Sequence, residues 1–582
     1  MTAIQERQDE GGLDLRPASQ VMRLARMGSF FPTRLSFMPG LIRSMNREGW
    51  RFSRPRFEIA GNGEGRAVYC VDAGARRYSL VAFAHALPDD ARSDRVIAEA
   101  WDATFALYDG EPDEAELKRL AAAVPKQEAG RCRPSELVLS RANKSVRVFE
   151  HVAGCLAEGR QPDPALLASV GYLMRTTAVY GNGKFGIADR ERIAGRPELA
   201  GPFRAEMLAV YLIRNFTLDL VEEAARKKAE AAGAPERFTR LAPQLRRFLG
   251  IGNSTGLGMA PFLINHPELI NNWIAARETA LARVRALSRA APEEVARFEE
   301  LVARAAAHVG QWRVEDARQS ARIARLEEDL ALLSQWLAEE EWTSSSRPWD
   351  SLYRRAEEAF SLEGQEMLVS LLLEPQGALV DDLTDLMAAP PPRGVEPAMT
   401  LGGLQEALSR AYDWALELDF AAPGAEARFW YVSEKKLEPR LGERGREAGE
   451  ELESPLDIAR QVQALSAALE EALAELGADA SIAAFLLRHP ELRHVVRRVQ
   501  GAARHPYGEV RENLIAADCL PIDLLRCKLS FFGASKFDPK SDRWTRITLY
   551  QGAPLPEDLG APGAEDWCLP VLERADNAPV AE

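Results

Sequence analysis

The chain has 582 residues, 46% of them hydrophobic, which is enough to build about two to four separately packed domains. It contains no apolar run of about eighteen residues and opens without a secretory profile, so we expect a cytoplasmic protein with no membrane partner. Six cysteines without a Cys-x-x-Cys pair argue against a disulfide framework or a zinc ribbon. The formal net charge of −14 disfavours nucleic acid as a partner of the body.

A basic N-terminal arm, residues 1–56, is the first predicted element. Nine arginines lie between residues 15 and 57 against a single acid, Glu48. The same stretch carries large apolar side chains that favour burial, among them Phe30 and Trp50. The arm therefore either binds an anionic partner such as nucleic acid or lipid, or wraps its own acidic body or a partner subunit. We expect the second arrangement.

Short alternating runs separated by Gly-Asn-Gly and Asp-Ala-Gly follow the arm and predict an antiparallel meander. Helical periodicity then dominates the chain almost to its end, most clearly between Pro292 and Trp342. The predicted organisation is a β module at 57–118, a helical segment at 119–290, a long amphipathic hairpin at 291–346, connecting helices with a Pro-rich linker at 347–400, a second helical segment at 401–520, a second β module at 521–560 and a tail at 561–582.

An internal duplication is the most specific pattern. The segment FLINHPEL at 262–269 recurs as FLLRHPEL at 485–492, and both His-Pro-Glu-Leu elements are typical of helix starts. A tyrosine with a lysine four residues later precedes each copy, as Tyr180 with Lys184 and Tyr431 with Lys435. Short motifs of the two β modules also match. The expected fold class is α+β and predominantly α-helical, with an internally duplicated helical core and a small antiparallel β module near each terminus, the two modules packed together.

Two glycine-rich segments occur only in the first half. Residues 250–261 interleave glycines with Asn253, Ser254 and Thr255, so backbone N–H groups and small polar side chains could converge on a carboxylate, phosphate or oxyanion. A helix–helix turn is the alternative. In residues 175–186 a lysine, Lys184, follows Tyr180, and a nearby cation favours the phenolate of a tyrosine that acts as general acid or base.

Isolated polar residues also interrupt apolar helices. Arg214 and Asn215 follow the apolar run of residues 207–213. Buried polar groups need partners, and a ligand can be one, although partners within the chain are commoner.

These features favour an enzyme that acts on a small anionic metabolite by proton transfer or elimination, with lyase- or hydrolase-like chemistry. The expected catalytic residues are Tyr180 and Lys184, and the expected substrate-binding residues are Arg175, Asn182, Asn253, Ser254, Thr255, Arg214, Tyr431 and Lys435. No metal-ligand or nucleotide signature is present, so no cofactor is expected. A homodimer is expected. The alternative is a non-catalytic oligomeric interaction or scaffold protein that uses the helical hairpin and the basic arm.

Overall fold

A mixed nine-stranded sheet lies at the centre of the molecule, which we describe from a computed structural model. The residues described are 12–88, 90, 100–126, 133–177, 193, 195–256, 267–387, 394–419, 421–422, 430–433, 439–441, 453–455, 458–511, 523, 525–534, 536–540 and 544–572. The strands of this sheet are β1 (Arg51–Ile59), β2 (Gly65–Ala73), β3 (Arg76–Ala84), β4 (Ala103–Asp109), β5 (Glu136–Lys144), β6 (Tyr172–Thr176), β7 (Gly250–Gly256), β11 (Phe537–Pro539) and β12 (Trp544–Leu549). Three further strands, β8 (Trp430–Ser433), β9 (Pro439–Leu441) and β10 (Glu453–Pro455), form a separate small sheet.

The order of the strands in the large sheet is β1-β2-β3-β4-β5-β6-β7-β12-β11. Strands β6 and β7 pair in parallel, and the other neighbours in this sheet pair antiparallel. The meander expected near the N-terminus is β1–β4, and the late strands β11 and β12 join the same sheet. The prediction of a small β module near each terminus is therefore wrong, because three strands from the segment predicted as helical join the two groups into one large central sheet.

Twenty α-helices lie within the described residues. They are α1 (Ala18–Val21), α2 (Leu24–Met27), α3 (Phe37–Arg47), α4 (Glu114–Ala123), α5 (Phe149–Ala157), α6 (Pro164–Val170), α7 (Arg204–Ala231), α8 (Pro243–Phe248), α9 (Pro267–Arg285), α10 (Pro292–Gly310), α11 (Ala317–Leu337), α12 (Pro348–Ala359), α13 (Leu362–Leu373), α14 (Gly377–Val380), α15 (Leu401–Ala411), α16 (Asp413–Leu416), α17 (Ile458–Leu476), α18 (Ile482–Arg488), α19 (Arg493–Arg504) and α20 (Arg526–Phe532). In the part of the chain described here, none of them is long and apolar enough to span a membrane.

Helix α7 covers one face of the sheet. Its first two-thirds is almost entirely buried, and Phe216 makes edge-to-face contacts with Tyr69 on β2 and Phe105 on β4. Side chains alternate along a strand, so the neighbours of these residues face the opposite side of the sheet. There Val68 packs with Leu117 and other apolar residues of α4 in a smaller cluster. The sheet is thus an inner layer with helices on both faces.

A second apolar core lies within helices α15–α19. It contains Leu465 and Phe485, both fully buried, and is separate from the core that surrounds the large sheet. The two copies of the repeated segment therefore differ in setting. Pro267 begins α9 in the main core, whereas Pro490–Leu492 forms a short 3₁₀ turn before α19. Because residues 257–266 lie outside the described ranges, the duplication stays a prediction.

The basic N-terminal arm is folded into the molecule. The Arg16 guanidinium donates to Glu278 at 2.7 Å and to Glu366 at 2.8 Å, and Arg26 donates to the same Glu366 at 2.7 Å. Arg34 binds Asp381 at 2.6 Å. The expectation that the arm wraps its own acidic body is confirmed for these arginines.

Candidate functional site

Most of the residues expected to form the site cannot be located as side chains. Tyr180, Asn182, Lys184 and Lys435 lie outside the described residues. Ser254 and Thr255 belong to strand β7 and Tyr431 to strand β8, but their side chains also lie outside the description. The residues with described side chains are Arg175, Asn253 and Arg214.

Arg175 and Asn253 lie on the neighbouring strands β6 and β7. The Asn253 amide is fully buried and donates to the Thr176 carbonyl at 3.0 Å. The buried Arg175 side chain lies over Gly252, with its Cγ 2.6 Å from the point where a Cβ of Gly252 would stand. Because successive residues of a strand face opposite sides, Arg175 and Asn253 lie on opposite faces of the sheet and do not converge on one ligand.

Arg214, on α7, is fully buried and holds together three segments of backbone. Its guanidinium donates to the carbonyls of Leu249 at 2.7 Å, Arg247 at 2.7 Å and Ala553 at 2.9 Å. Burial lowers the pKa of Arg214 to about 10, so the side chain keeps its charge near neutral pH. These bonds fix the end of α8 and the 553–554 turn against α7. They thereby set the walls of a neighbouring cleft.

This cleft, which we call the Asn215 cleft, has a volume of about 760 Å³. Known small-molecule sites occupy roughly 300–1,000 Å³, so the cleft is of suitable size for a metabolite. It is lined by Phe52, Ser53 and Arg54 of β1, Tyr69 and Cys70 of β2, Leu212, Asn215, Asp219 and Glu222 of α7, Arg240, Leu241, Pro243, Gln244, Arg246 and Arg247 from α8 and the loop before it, and Leu555, Pro556, Glu557 and Asp558.

One stripe of helix α7 supplies the floor. Leu212, Asn215, Asp219 and Glu222 are spaced three, four and three residues apart, which places all four on the same helical face. The apolar N-terminal part of α7 packs in the main core, while Asn215, Asp219 and Glu222 face the cleft.

A network of charged hydrogen bonds holds Asp219 in place. Oδ2 of Asp219 accepts from Arg54 at 2.6 Å and from the Tyr69 hydroxyl at 2.7 Å. Oδ1 accepts from Arg246 at 2.9 Å, and Arg246 also donates to Glu222 at 3.0 Å. Three donors, one each from β1, β2 and α8, therefore bond to the Asp219 carboxylate and fix its position in the cleft.

The surroundings of Tyr69 oppose its ionisation. Burial raises the pKa of the Tyr69 phenol well above its usual range, and the negative charge of Asp219 raises it further. Burial alone would lower the pKa of Arg246, but Asp219 and Glu222 outweigh it and the pKa is raised. Both groups keep their protons at neutral pH, so they serve as fixed hydrogen-bond donors and charges.

The side chain of Asn215 is the unusual feature of the cleft. It is 6% exposed, and among the described residues neither Oδ1 nor Nδ2 has a hydrogen-bond partner. An unsatisfied buried amide costs about 1–3 kcal/mol in proteins, so its presence needs an explanation. A ligand in the cleft would supply the missing partners.

Charges of both signs face the cleft beyond this network. Arg240 is exposed and, within the described ranges, its guanidinium has no ion-pair partner. Among the groups that the structure describes, the Arg247 guanidinium donates to two backbone carbonyls, those of Gly552 at 3.1 Å and Ala564 at 3.2 Å. Glu557 is exposed on the C-terminal wall. The cleft thus offers cations and a carboxylate to one ligand.

Among Asn215, Tyr69, Asp219 and Arg246, the sequence indicated a binding role for Asn215 alone. Asn215 interrupts an apolar helix next to Arg214, which marks a buried polar group in need of a partner. Tyr69, Asp219 and Arg246 belong to separate elements and share no motif. Their convergence depends on the packing of α7 against β2, which a local pattern does not reveal.

No family model matches the chain, and neither a curated protein nor a solved structure matches it. Within the described ranges, no three His, Cys, Asp or Glu side chains are grouped as a metal site would require. The chemistry of the cleft is therefore the basis for an assignment of function.

Proposed function

We propose that the protein binds a small polar ligand in the Asn215 cleft, and that this ligand carries an anionic group together with hydrogen-bonding atoms that meet the Asn215 amide. The unpartnered, buried amide of Asn215 is the observation that carries this proposal. A carboxamide offers two N–H donors and an acceptor oxygen, so it pairs well with an amide, a hydroxyl or a carboxylate.

The charges around the cleft support an anionic ligand of mixed polarity. Arg240 and Arg247 are cations that no described carboxylate neutralises, and they lie on the α8 side of the cleft. Glu557 lies on the C-terminal side and can accept from an ammonium or hydroxyl group. A small carboxylate or phosphate that also bears an amino or hydroxyl group fits this arrangement better than an apolar molecule.

A catalysed reaction on this ligand is the wider proposal. Proton transfer or elimination, with Tyr180 and Lys184 as catalytic pair, is consistent with a small anionic metabolite. Loss of turnover in Y180F and K184M, with ligand binding in the cleft retained, is the result that would support lyase- or hydrolase-like chemistry. Unchanged turnover in the double variant would overturn that assignment and leave the binding proposal standing.

The alternative function, a non-catalytic oligomeric interaction or scaffold protein, has less support from the described contacts. The arginines of the arm bind acids of the same chain, and helices α10 and α11 bury Phe298 and Leu330 in the main core. These surfaces are therefore engaged within the molecule, and the ligand proposal accounts for more of what the cleft contains.

The variant N215L tests the binding proposal. Leucine has the branched shape of asparagine without its polar atoms, so removal of two unsatisfied groups should leave the ligand-free protein at least as stable as wild type. The gain expected is about 1 kcal/mol in the free energy of unfolding. Thermal shift measured with amino acids, hydroxycarboxylates and phosphorylated sugars should show a stabilising compound for wild type and none for N215L.

The matched control is N253L. Asn253 is also buried, but its amide donates to the Thr176 carbonyl, so the substitution removes a buried hydrogen bond and should cost about 1–3 kcal/mol. It should keep the thermal shift of wild type. If N215L loses as much stability as N253L, Asn215 has a structural partner and the cleft proposal fails.

A further inference from the structure

A second pocket lies on the sheet itself, near the junction of β6, β7 and β12. It is small and open to the surface, and it is lined by Arg147, Ser169, Val170, Tyr172, Lys536, Asp538, Arg546 and Thr548. None of these residues lines the Asn215 cleft. We call it the Lys536 pocket.

The glycines of β7 shape one wall of this pocket. A Cβ on Gly250 would stand 2.8 Å from Cγ2 of Thr548, and a Cβ on Gly252 would stand 2.8 Å from a ring carbon of Tyr172. Tyr172 of β6 and Thr548 of β12 therefore pack directly against the glycine backbone of β7. The pocket lies beside these two side chains.

Positive charge is concentrated around the pocket. Lys536, Arg147 and Arg546 line it, and the Lys536 ammonium donates to the Ser169 carbonyl at 3.3 Å. Burial lowers the pKa of Lys536. Asp538 opposes that change, whereas the charges of Lys540, Arg313 and Arg147 lower the pKa further. The lysine thus lies in a positive field that a bound anion would relieve.

Among the described residues, Asp538 is the one carboxylate in the lining, and its two oxygens differ. Oδ2 is paired with the Lys540 ammonium at 3.0 Å. Oδ1 is buried and, among the described residues, has no hydrogen-bond partner. A bound anion can donate a hydrogen bond to this carboxylate oxygen only if the anion itself carries a proton.

We propose that the Lys536 pocket binds a phosphate group, with its negative oxygens toward Lys536, Arg546 and Arg147 and its protonated oxygen donating to Asp538. Inorganic phosphate carries at least one proton at neutral pH, a phosphate monoester carries one in its monoanionic form, and sulfate carries none. The pocket should therefore select phosphate over sulfate. The phosphate comes either as the free ion or as the phosphoryl group of a metabolite. This site is independent of the ligand proposed for the Asn215 cleft.

Isothermal titration of the full-length protein at constant ionic strength tests the site. Inorganic phosphate should bind wild type, and K536M should bind it at least tenfold more weakly because one of the three cations that line the pocket is gone. K118M is the control, since Lys118 is an exposed lysine of α4. It should bind phosphate as wild type does. Circular dichroism establishes that each variant is folded.

Sulfate and the variant D538N test the role of the carboxylate. Wild type should prefer phosphate over sulfate at least tenfold, and D538N should lose that preference because an amide can donate to either anion. Glycerol phosphate that binds at least as tightly as inorganic phosphate identifies a phosphorylated metabolite, and binding of inorganic phosphate alone identifies the free ion. Equal phosphate affinity in wild type and K536M, the result expected of an adventitious ion only, would overturn the proposal.

Discussion

Glu366 shows how single residues hold the N-terminal arm to the body. Its carboxylate is fully buried on α13 and receives charged hydrogen bonds from Arg16, Arg26 and Arg277. Burial alone would raise the pKa of Glu366, but the three guanidinium groups outweigh it and hold the pKa well below its usual range. One carboxylate therefore neutralises cations from the arm and from α9.

The variant E366Q should be destabilised at neutral pH. A neutral amide removes one of the two buried carboxylates that balance Arg16, Arg26 and Arg277, and leaves Glu278 alone among these cations. The loss of one member of a buried ion pair costs about 3–5 kcal/mol. Because the folded-state pKa is depressed, the carboxylate stabilises the fold above its unfolded pKa of about 4.3, and this contribution is lost as pH falls toward the folded pKa. Urea denaturation should show a gap between wild type and E366Q at pH 7 that narrows toward pH 3.

An exposed glutamate provides the comparison. Glu406 forms an ion pair with Arg410 on the surface of α15. Solvent screens such pairs, so E406Q should leave the urea midpoint nearly unchanged at both pH values. A constant difference between wild type and E366Q from pH 7 to pH 3 would show that the carboxylate charge is not what matters.

Strand β7 shows that pairing with a distant strand can decide the secondary structure of a segment. Four glycines within residues 250–258 predict a loop, because glycine favours turns and weakens strands. Residues 250–256 nevertheless form a strand between β6 and β12, with a regular antiparallel register to β12 from Leu549↔Ile251 to Trp544↔Gly256. Its partner lies far along the sequence, so a local pattern could not indicate the pairing.

The variant G252A tests this explanation. A Cβ at this position would stand 2.6 Å from Cγ of Arg175 and 2.8 Å from the ring of Tyr172, so both side chains would have to move. We expect a loss of about 1–3 kcal/mol, measured by chemical denaturation, because the site is already filled.

Gly154, on helix α5, has room for a side chain where Gly252 has none. A Cβ at Gly154 would meet no atom within 4 Å, and alanine favours a helix over glycine. The variant G154A should therefore gain about 0.5–1 kcal/mol. If G252A were as stable as G154A, close packing over β7 would not be the reason for its glycines.

In the described part of the molecule, the two largest apolar cores are separate from each other. Helices α15–α19 surround Leu465, while the large sheet and its helices form the main core. Among the described residues, Arg511 connects the two units: its backbone amide donates to the Met22 carbonyl at 2.9 Å, and its guanidinium pairs with Asp413 on α16. Each unit can therefore lose structure with limited effect on the other.

The variant L465A should weaken one unit selectively. Truncation of a buried leucine costs about 2–5 kcal/mol through lost contacts and the cavity that remains. Hydrogen exchange should accelerate in the amides of α15, α17 and α19, while those of β2, β3 and β4 stay protected.

Substitution of Leu107 provides the reciprocal measurement. Leu107 is fully buried on β4, so L107A should accelerate exchange in the sheet and spare α15–α19. Faster exchange in both units for either variant would mean that the molecule unfolds as one cooperative body.

The sequence predicted the parts of the molecule that rest on local patterns. The alternating runs that predicted a meander correspond to β1–β4, and the apolar spacing after Pro292 corresponds to the long helices α10 and α11. Strand β5 was missed because Glu136–Lys144 lies within a segment of helical pattern. At the site, Asn215 was visible as a polar residue on an apolar helix, whereas Asp219 gained its partners only through tertiary packing.

The position of β12 has a consequence for the order in which the chain can fold during synthesis. Strands β1–β7 leave the ribosome in the order in which they pair, so that part of the sheet can assemble as it emerges. The β7 edge then stays open until Trp544–Leu549 has been made. An open edge invites pairing with another chain, and a strand poor in apolar side chains is a weak template for it. The glycines of β7 therefore make its open edge a weak template for pairing with another chain until β12 has been made.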